Sequence, residues 1–137
     1  MKKKTGLLII FILLTAFLMG GCKMEDQDSE KIRDIEFTVL DEELIPEEFK
    51  LVIDEKKQEV FRLTYNDGQY TYIAEGYGEQ PTSGYSIVIN EVYLSSNAVY
   101  FDSNLMGPEK DDEIIQMPTC PYIVIKLENI DKPVVFK

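Results

Sequence analysis

The residue types that most often do chemistry are scarce in this sequence of 137 residues. It contains no histidine, which excludes Ser-His-Asp and Cys-His catalysis, zinc held by histidine and the usual proton shuttle at neutral pH. Carboxylates are plentiful, but they crowd into loops and a helix start instead of forming a pair held at a fixed separation, as glycoside hydrolysis requires. No glycine-rich loop connects a strand to a helix, so nothing indicates a phosphate site. The sequence therefore predicts a non-enzymatic protein with no cofactor and no metal.

One acidic segment partly matches a calcium-binding loop. From Asp102 to Glu113, an acid, an amide, a glycine and a glutamate occupy the first, third, sixth and twelfth positions of such a loop. The match fails at the fifth position, where Met106 offers no oxygen ligand, and the flanking residues have the pattern of strands. We interpret the segment as an acidic loop between strands. Weak calcium binding is the alternative, through the carboxylates of Glu109, Asp111, Asp112 and Glu113.

The charge balance excludes two classes of partner. The chain has 25 acidic and 14 basic side chains, which give a net charge of -11. A protein this acidic does not neutralise phosphates by counterion release, so we expect no nucleic-acid binding. Anionic lipid headgroups also repel it, so we expect the membrane to be reached only through a lipid anchor.

The N-terminus has the pattern of an export signal that ends in a lipid-attachment cysteine. Lys2–Lys4 form a positive stretch, and the apolar run Leu7–Met19 is shorter than the roughly 18 to 20 residues that cross a bilayer. The run leads into Gly20-Gly21-Cys22, and small residues before a cysteine at this place resemble a lipobox. We expect residues 1–21 to be removed as a signal peptide and Cys22 to be acylated, which anchors an extracytoplasmic protein to the bacterial cell membrane. An uncleaved signal helix is the alternative.

The other cysteine, Cys120, is then left without an intramolecular disulfide partner. It lies between Pro118 and Pro121 at the start of an apolar run, and no nearby cation in the sequence activates it. We interpret it as a small buried residue, with a reactive thiol as the alternative.

The remaining chain has the organisation of one domain behind a short tether. Residues 22–30 comprise the lipidated cysteine and an acidic tether, and residues 31–137 form a single domain without internal repeats. A helix is predicted from Pro46 to Lys57, with Phe49, Val52 and Ile53 on its buried face. The acids before and within its first turn suit a helix start and a solvated surface.

Alternating apolar residues predict strands over most of the rest. The first hairpin joins Glu59–Tyr65 to Gln69–Tyr77 through a two-residue turn at Asp67 and Gly68. Residues directly opposite each other share a face, so this register collects the large apolar side chains on one side of the sheet. The predicted pairs are Tyr65 with Tyr70, Leu63 with Tyr72 and Phe61 with Ala74.

Up to five further strands complete the predicted sheet. A second hairpin spans Tyr85 to Asp102 and closes at Ser96 and Asn97, which sets Leu94 against Val99 and Val92 against Phe101. The other predicted strands are Ile35–Leu40, a central strand at Tyr122–Leu127 and an edge strand at Pro133–Phe136. The predicted fold class is α+β, a mainly antiparallel sheet of six or seven strands with one packed helix.

The segment that connects the two hairpins is rich in turn residues. Gly76–Tyr85 contains three glycines, one proline and two tyrosines. One interpretation is a sharp structural connection in which glycine supplies positive φ angles. The other is a rigid loop that displays side chains to a partner, since tyrosine is frequent at protein interfaces. The candidate partner-binding residues are Gln80, Thr82, Gly84 and Tyr85.

Two motifs in this region resemble a known family. The turn Gln80–Ile87 (QPTSGYSI) and the later strand Pro118–Val124 (PTCPYIV) are similar to those of the PrcB C-terminal domain. The resemblance covers residues 70–136, and a lipoprotein signal suits the family's usual setting. It implies an accessory subunit of a cell-surface protease complex, not a peptidase, and it brings no catalytic residues.

Three functions remain open at this point. The favoured one is a lipid-anchored, non-enzymatic subunit that binds another cell-surface protein, a protease by family name, through the Gln80–Tyr85 turn and exposed sheet edges. The second is an anchored module that binds glycans, cell wall or a small ligand through exposed aromatic side chains, for which the candidates are Tyr70, Tyr72, Tyr93 and Tyr100. The third is an extracellular protease inhibitor that offers the Gln80-Pro81-Thr82 loop.

Overall fold

The computed structural model of this protein describes residues 30–137. The predicted signal peptide, Cys22 and all but the last residue of the tether lie outside this range. Within the described range, no helix combines the length and the apolar character needed to cross a membrane.

In residues 30–137, eight strands form two four-stranded sheets, and one α-helix accompanies them. Helix α1 spans Glu47–Lys56 and follows a 3₁₀ turn at Glu42–Leu44. The strands are β1 (Lys31–Asp34), β2 (Phe37–Val39), β3 (Val60–Asn66), β4 (Tyr70–Tyr77), β5 (Ser86–Ser95), β6 (Val99–Met106), β7 (Tyr122–Glu128) and β8 (Val134–Phe136).

The first sheet has the order β1-β5-β6-β8 and the second has the order β2-β7-β4-β3. All strand pairs are antiparallel except β6 and β8, which run parallel. The α+β, mainly β class is therefore confirmed, whereas six or seven strands was too few. Before the helix one strand is predicted, at Ile35–Leu40, whereas the structure has β2 within that range and an additional strand, β1, before it.

Two apolar clusters show how the two sheets and the helix pack against one another. Buried side chains of both sheets, among them Ile73, Phe101 and Ile125, form the cluster between the sheets. Phe49 and Ile53 of α1 join Val124 in a second cluster on the other face of the second sheet. Strand β7 contributes to both clusters, which confirms the prediction of a central strand covered on both sides.

Helix α1 begins and ends close to the residues predicted from the sequence. Pro46 precedes the first helical residue, Glu47 and Glu48 lie in the first turn, and Lys56 lies in the last. Phe49 and Ile53 are buried as predicted, but Val52 is 38% exposed, because it lies at the margin of the stripe that Phe49 and Ile53 define.

The first hairpin has the predicted faces but not the predicted register. Its turn is centred on Gly68 and Gln69, because the Asp67 carboxylate accepts hydrogen bonds from the backbone N–H groups of Gln69 (2.9 Å) and Tyr70 (2.7 Å). Each β3 residue therefore pairs two positions further along β4 than expected. A shift of two preserves the alternation of side chains, so the large apolar residues still share one face. The observed pairs are Tyr65 with Tyr72, Leu63 with Ala74 and Phe61 with Gly76.

The second hairpin has the predicted register near its turn. Leu94 lies opposite Val99 and Val92 lies opposite Phe101. Strand β6 continues beyond the predicted end to Met106, and a bulge between Ile89 and Glu91 interrupts the pairing. This ribbon carries the chain to the end of the molecule where the glycine-rich connection lies.

The predicted strand Ile35–Leu40 corresponds to β2 alone, and β1, which precedes it, was not predicted. Strand β1 pairs with β5, and after it the chain crosses at Ile35 and Glu36 to form β2, which pairs with β7. Ile35 is 4% exposed and joins the cluster between the sheets. The crossing therefore closes one side of the sandwich. The predicted edge strand β8 does lie at an edge.

Candidate functional site

Two loops meet at one end of the sandwich, and backbone hydrogen bonds join them. Gln80 and Thr119 exchange N–H to carbonyl bonds of 2.7 and 3.0 Å, and the Ser83 N–H donates to the Ile115 carbonyl at 3.0 Å. The Ile115 N–H donates to Ser83 Oγ at 2.7 Å, and the Thr119 hydroxyl donates to the Thr82 carbonyl at 2.7 Å. We call residues 78–85 and 107–119 the braced end. Bonds from several positions hold its two loops in one arrangement.

The four predicted partner-binding residues lie in the braced end, but their side chains do not form one exposed surface. The Gln80 amide donates to the Tyr77 carbonyl at 3.0 Å, and Thr82 is 9% exposed with its hydroxyl bonded to the Ser83 carbonyl. Tyr85 is half-buried, and Gly84 is exposed. Partner binding by these four residues stays a prediction.

Gly84 is required by both conformation and space. Its φ of 89° lies in the left-handed region, which costs other residues energy. A Cβ at this position would lie 2.9 Å from Pro108 Cβ and 3.1 Å from Ile114 Cγ2. Gly84 therefore allows the two loops to approach closely.

Exposed apolar side chains surround the braced end. In the described part of the chain, they are a substantial share of the large hydrophobic residues that remain exposed. Exposed apolar side chains that lie close together on a surface are typical of a protein interface, and these five lie in the second loop of the braced end or on the strands that adjoin it. These residues were not predicted from the sequence, although Ile114 and Ile115 directly follow an acidic run, which is an unusual place for apolar residues in a loop. The residues are Val88, Met106, Ile114, Ile115 and Met117.

The acidic segment lies beside these apolar residues. Glu109, Asp111, Asp112 and Glu113 are all exposed, and the Glu109 N–H donates to the Asp112 carboxylate at 2.7 Å. The first five positions of the calcium pattern fall in the extended strand β6, which does not curve around an ion. Within residues 30–137, no group of three potential metal ligands is arranged to hold an ion.

A buried polar network joins the two sheets near the braced end. Glu75 of β4 is 4% exposed; it accepts a hydrogen bond from Ser103 of β6 at 2.5 Å and pairs with Arg62 of β3 at 3.0 Å. The Tyr77 hydroxyl also bonds Ser103 Oγ at 2.6 Å, and burial raises the pKa of this tyrosine. Because Ser103 is buried and has no histidine beside it, the network is suited to fixing the sheets together and not to nucleophilic catalysis.

The aromatic residues considered for ligand binding are mostly inaccessible. Tyr72, Tyr93 and Tyr100 are buried, and Tyr70 is half-buried with the Lys126 ammonium 4.0 Å from its ring centroid. Burial raises the pKa of Tyr72, and its hydrogen bond to Asp67 raises it further. Cys120 is half-buried with a free thiol.

The fold and the braced end together define a class of protein, a small, mainly β domain with exposed apolar side chains on its loops. Residues 71–128 match the family model described as PrcB C-terminal, which confirms the resemblance of this part of the chain to that family. The matched segment contains β5, β6, β7, nearly all of β4, and both loops of the braced end. No curated protein and no solved structure matches the chain.

Proposed function

We propose that this chain is a non-enzymatic binding subunit on the bacterial cell surface that associates with another protein, a protease being the partner that the family suggests. The observation that carries the proposal is the exposed apolar surface of the braced end. Rigid loops lose little conformational freedom on binding, so they form effective contact surfaces. Apolar residues with a polar rim are the usual composition of such a surface.

The acidic rim supports a protein partner over a lipid or nucleic-acid partner. Four carboxylates lie next to the exposed Ile114 and Ile115. They repel phosphate groups and attract basic side chains, which steers association and favours a correctly oriented complex.

The test is chemical crosslinking on intact cells, followed by recovery of the chain through its Lys137 end and mass spectrometry. The double variant Ile115→Ser, Met117→Ser removes two side chains that are 63% and 62% exposed. The control double variant Leu44→Ser, Leu51→Ser removes two that are 66% and 61% exposed outside the braced end.

We expect the wild type and the control to recover the same dominant surface protein, and the braced-end variant to recover about tenfold less or lower. Recovery of the chain alone from wild-type cells would contradict the proposal. An equal loss in both double variants would also contradict it, because exposed apolar area in general would then explain the binding.

The proposed attachment to the membrane is through acylated Cys22. Two or more acyl chains give stable anchoring, and the acidic protein surface adds no attraction of its own. The variant Cys22→Ser is expected to move the protein from the detergent phase to the aqueous phase in a partitioning experiment. Unchanged partitioning would show that the N-terminal segment anchors the chain without lipid.

A further inference from the structure

We propose that the free edge of β5, from Ser86 to Ile89, accepts an extended basic segment of the partner protein as an added strand. This inference rests on the proposed function, and it specifies which part of the molecule and what partner chemistry are used. Addition of a strand to an open sheet edge is a common way to bind an extended peptide.

The edge is open because β1 covers only half of β5. Strand β1 pairs with β5 from Tyr93 to Ser95, and the last bond on this side runs from the Ile35 N–H to the Val92 carbonyl at 3.0 Å. The chain then crosses to the second sheet. Among the described residues, no strand pairs with β5 from Ser86 to Glu91 on this side.

The alternation of the ladder shows which backbone groups face the open side. On β6, Val99 and Phe101 direct their backbone groups to the β8 side, where they bond Pro133 and Lys137. Ser103 and Leu105 follow at alternate positions and face the same way. Their partners on β5 are Ile89 and Ile87, and opposite residues face either toward each other or away from each other. The N–H and carbonyl groups of Ile87 and Ile89 are therefore directed to the open edge.

An uncovered apolar surface lies beside this edge. Phe37 and Val39 of β2 pair with Leu127 and Ile125, so they share the face that forms the core between the sheets. They are nevertheless 38% and 53% exposed, so this part of the face is not fully covered. A cleft of about 390 Å³ lies here, and its apolar walls include Ile35, Phe37 and Ile89. A strand added to β5 would place alternate side chains over this cleft.

The edge also lacks the usual protection against pairing. Proteins commonly block open edges with lysine, proline or a bulge. The stretch Ile87-Val88-Ile89 has neither lysine nor proline, and the bulge at Asn90 lies beyond it. An open edge of this composition is a hazard unless a partner covers it.

The charges beside the cleft indicate which kind of segment pairs with the open edge of β5. Within the described chain, Glu91 of the cleft wall and Glu36, which lies between the wall residues Ile35 and Phe37, belong to no ion pair within 4.0 Å. Lys31 also lines the cleft, but its ammonium is paired with Asp34 and is attracted less strongly by Glu91, and Arg33 is paired with Glu128. A second copy of this chain, with 25 acidic and 14 basic residues, would bring the same carboxylates together. A partner segment that alternates apolar and basic side chains would bury the former on Phe37 and pair the latter with Glu36 and Glu91.

The test uses the purified chain and a short synthetic peptide that alternates valine and lysine. Its control has the same sequence with N-methylated backbone nitrogens at alternate positions, which keeps the charge but removes the N–H donors. We expect the peptide to perturb the amide resonances of Ile87 and Ile89, and the methylated peptide to bind about tenfold more weakly.

Two variants examine the edge from the protein side. Ile87→Pro removes an N–H group that faces the open edge and leaves the β5–β6 bonds intact, a place where proline is tolerated. Glu36→Lys reverses an exposed charge and does not threaten folding. We expect each to weaken peptide binding about tenfold, with the circular dichroism spectrum of each variant serving as the check on folding.

Three results would overturn the inference. Equal binding of both peptides would show that charge alone is recognised. Perturbations centred on Glu109–Glu113 would place the site on the acidic loop. A wild-type dimer in sedimentation that Ile87→Pro disrupts would make a second copy the occupant.

The crosslinking experiment on cells separates this inference from the proposed function. If cells yield no partner, the proposed function fails. If they yield the same partner from Ile87→Pro as from the wild type, only the inference about the β5 edge fails.

Discussion

At the residue scale, Asp67 determines where the first hairpin turns. Its carboxylate accepts the N–H groups of Tyr70 and Gln69 and the hydroxyl of Tyr72. These donors, the backbone group of Tyr70 first, hold the pKa of Asp67 below its usual value. The charged form is therefore favoured in the folded protein, and this side chain both closes the hairpin and stabilises it.

This gives a pH-dependent prediction. Because the pKa of Asp67 is lowered on folding, its stabilising contribution is present above the unfolded value of about 4 and is lost as pH falls through the folded value. Asp67→Ala is expected to lower the melting temperature at pH 7, and the difference from the wild type is expected to shrink below about pH 4. Asp41→Ala is the control, because the Asp41 side chain makes no capping bond. A difference that stays constant from pH 7 to pH 3 would contradict this explanation.

Two glycines allow a matched comparison of strain and space. Gly68 and Gly84 have φ angles of 90° and 89°, but an added Cβ meets nothing within 4 Å at Gly68 and lies 2.9 Å from Pro108 at Gly84. Gly68→Ala is expected to cost about 1–2 kcal/mol for backbone strain alone. Gly84→Ala is expected to cost about 1–3 kcal/mol more, because Pro108 must move. Urea unfolding measures both, and equal losses would show that the two loops are not closely packed.

At the element scale, the contact between the sheets depends on a buried charge. Glu75 of β4 has Ser103 of the opposite sheet as a donor. Ser103→Ala removes this bond and is expected to lower the free energy of unfolding by about 1.5–3 kcal/mol, the range for hydrogen bonds to charged groups. Ser86→Ala, at an exposed position of the same sheet, is the control and is expected to change stability by less than about 0.5 kcal/mol. Similar losses in both variants would mean that the network contributes little.

The elements also show what the sequence could and could not predict. Side-chain alternation correctly assigned the faces of both hairpins, because one face of each strand is buried. The register of the first hairpin was wrong by two positions, because a side chain, Asp67, replaces a backbone acceptor in the turn. Neither β1 nor the crossing to the second sheet that follows it has a signal in the local pattern, since only tertiary packing places Ile35 in the core. For the same reason one sheet was expected where there are two.

The candidate site was predictable only in part. The glycine and proline residues of the Gln80–Tyr85 turn indicated a special connection, and the structure brings it against a second loop. Which side chains face outward depends on that pairing, so burial of Thr82 and exposure of Ile115 could not be read from the residues alone. The open edge of β5 likewise depends on where β1 leaves the sheet.

At the scale of the whole molecule, one ribbon connects the two proposed contact surfaces. The β5–β6 ribbon leads from the cleft beside Phe37 to the braced end, where Met106 and the acidic loop follow. A single partner that places a strand along β5 would therefore extend toward the apolar residues of the braced end. The residues that match the PrcB C-terminal family, 71–128, contain this ribbon and both braced loops.

The most direct test of protein binding by the braced end is site-specific photo-crosslinking in living cells. A photoreactive amino acid replaces Ile115 in one strain and Leu51 in another, two side chains that are 63% and 61% exposed. We predict one dominant adduct with another surface protein from position 115 and none from position 51. Equal adducts from both positions, or adducts at position 115 only with a second copy of this chain, would contradict the account.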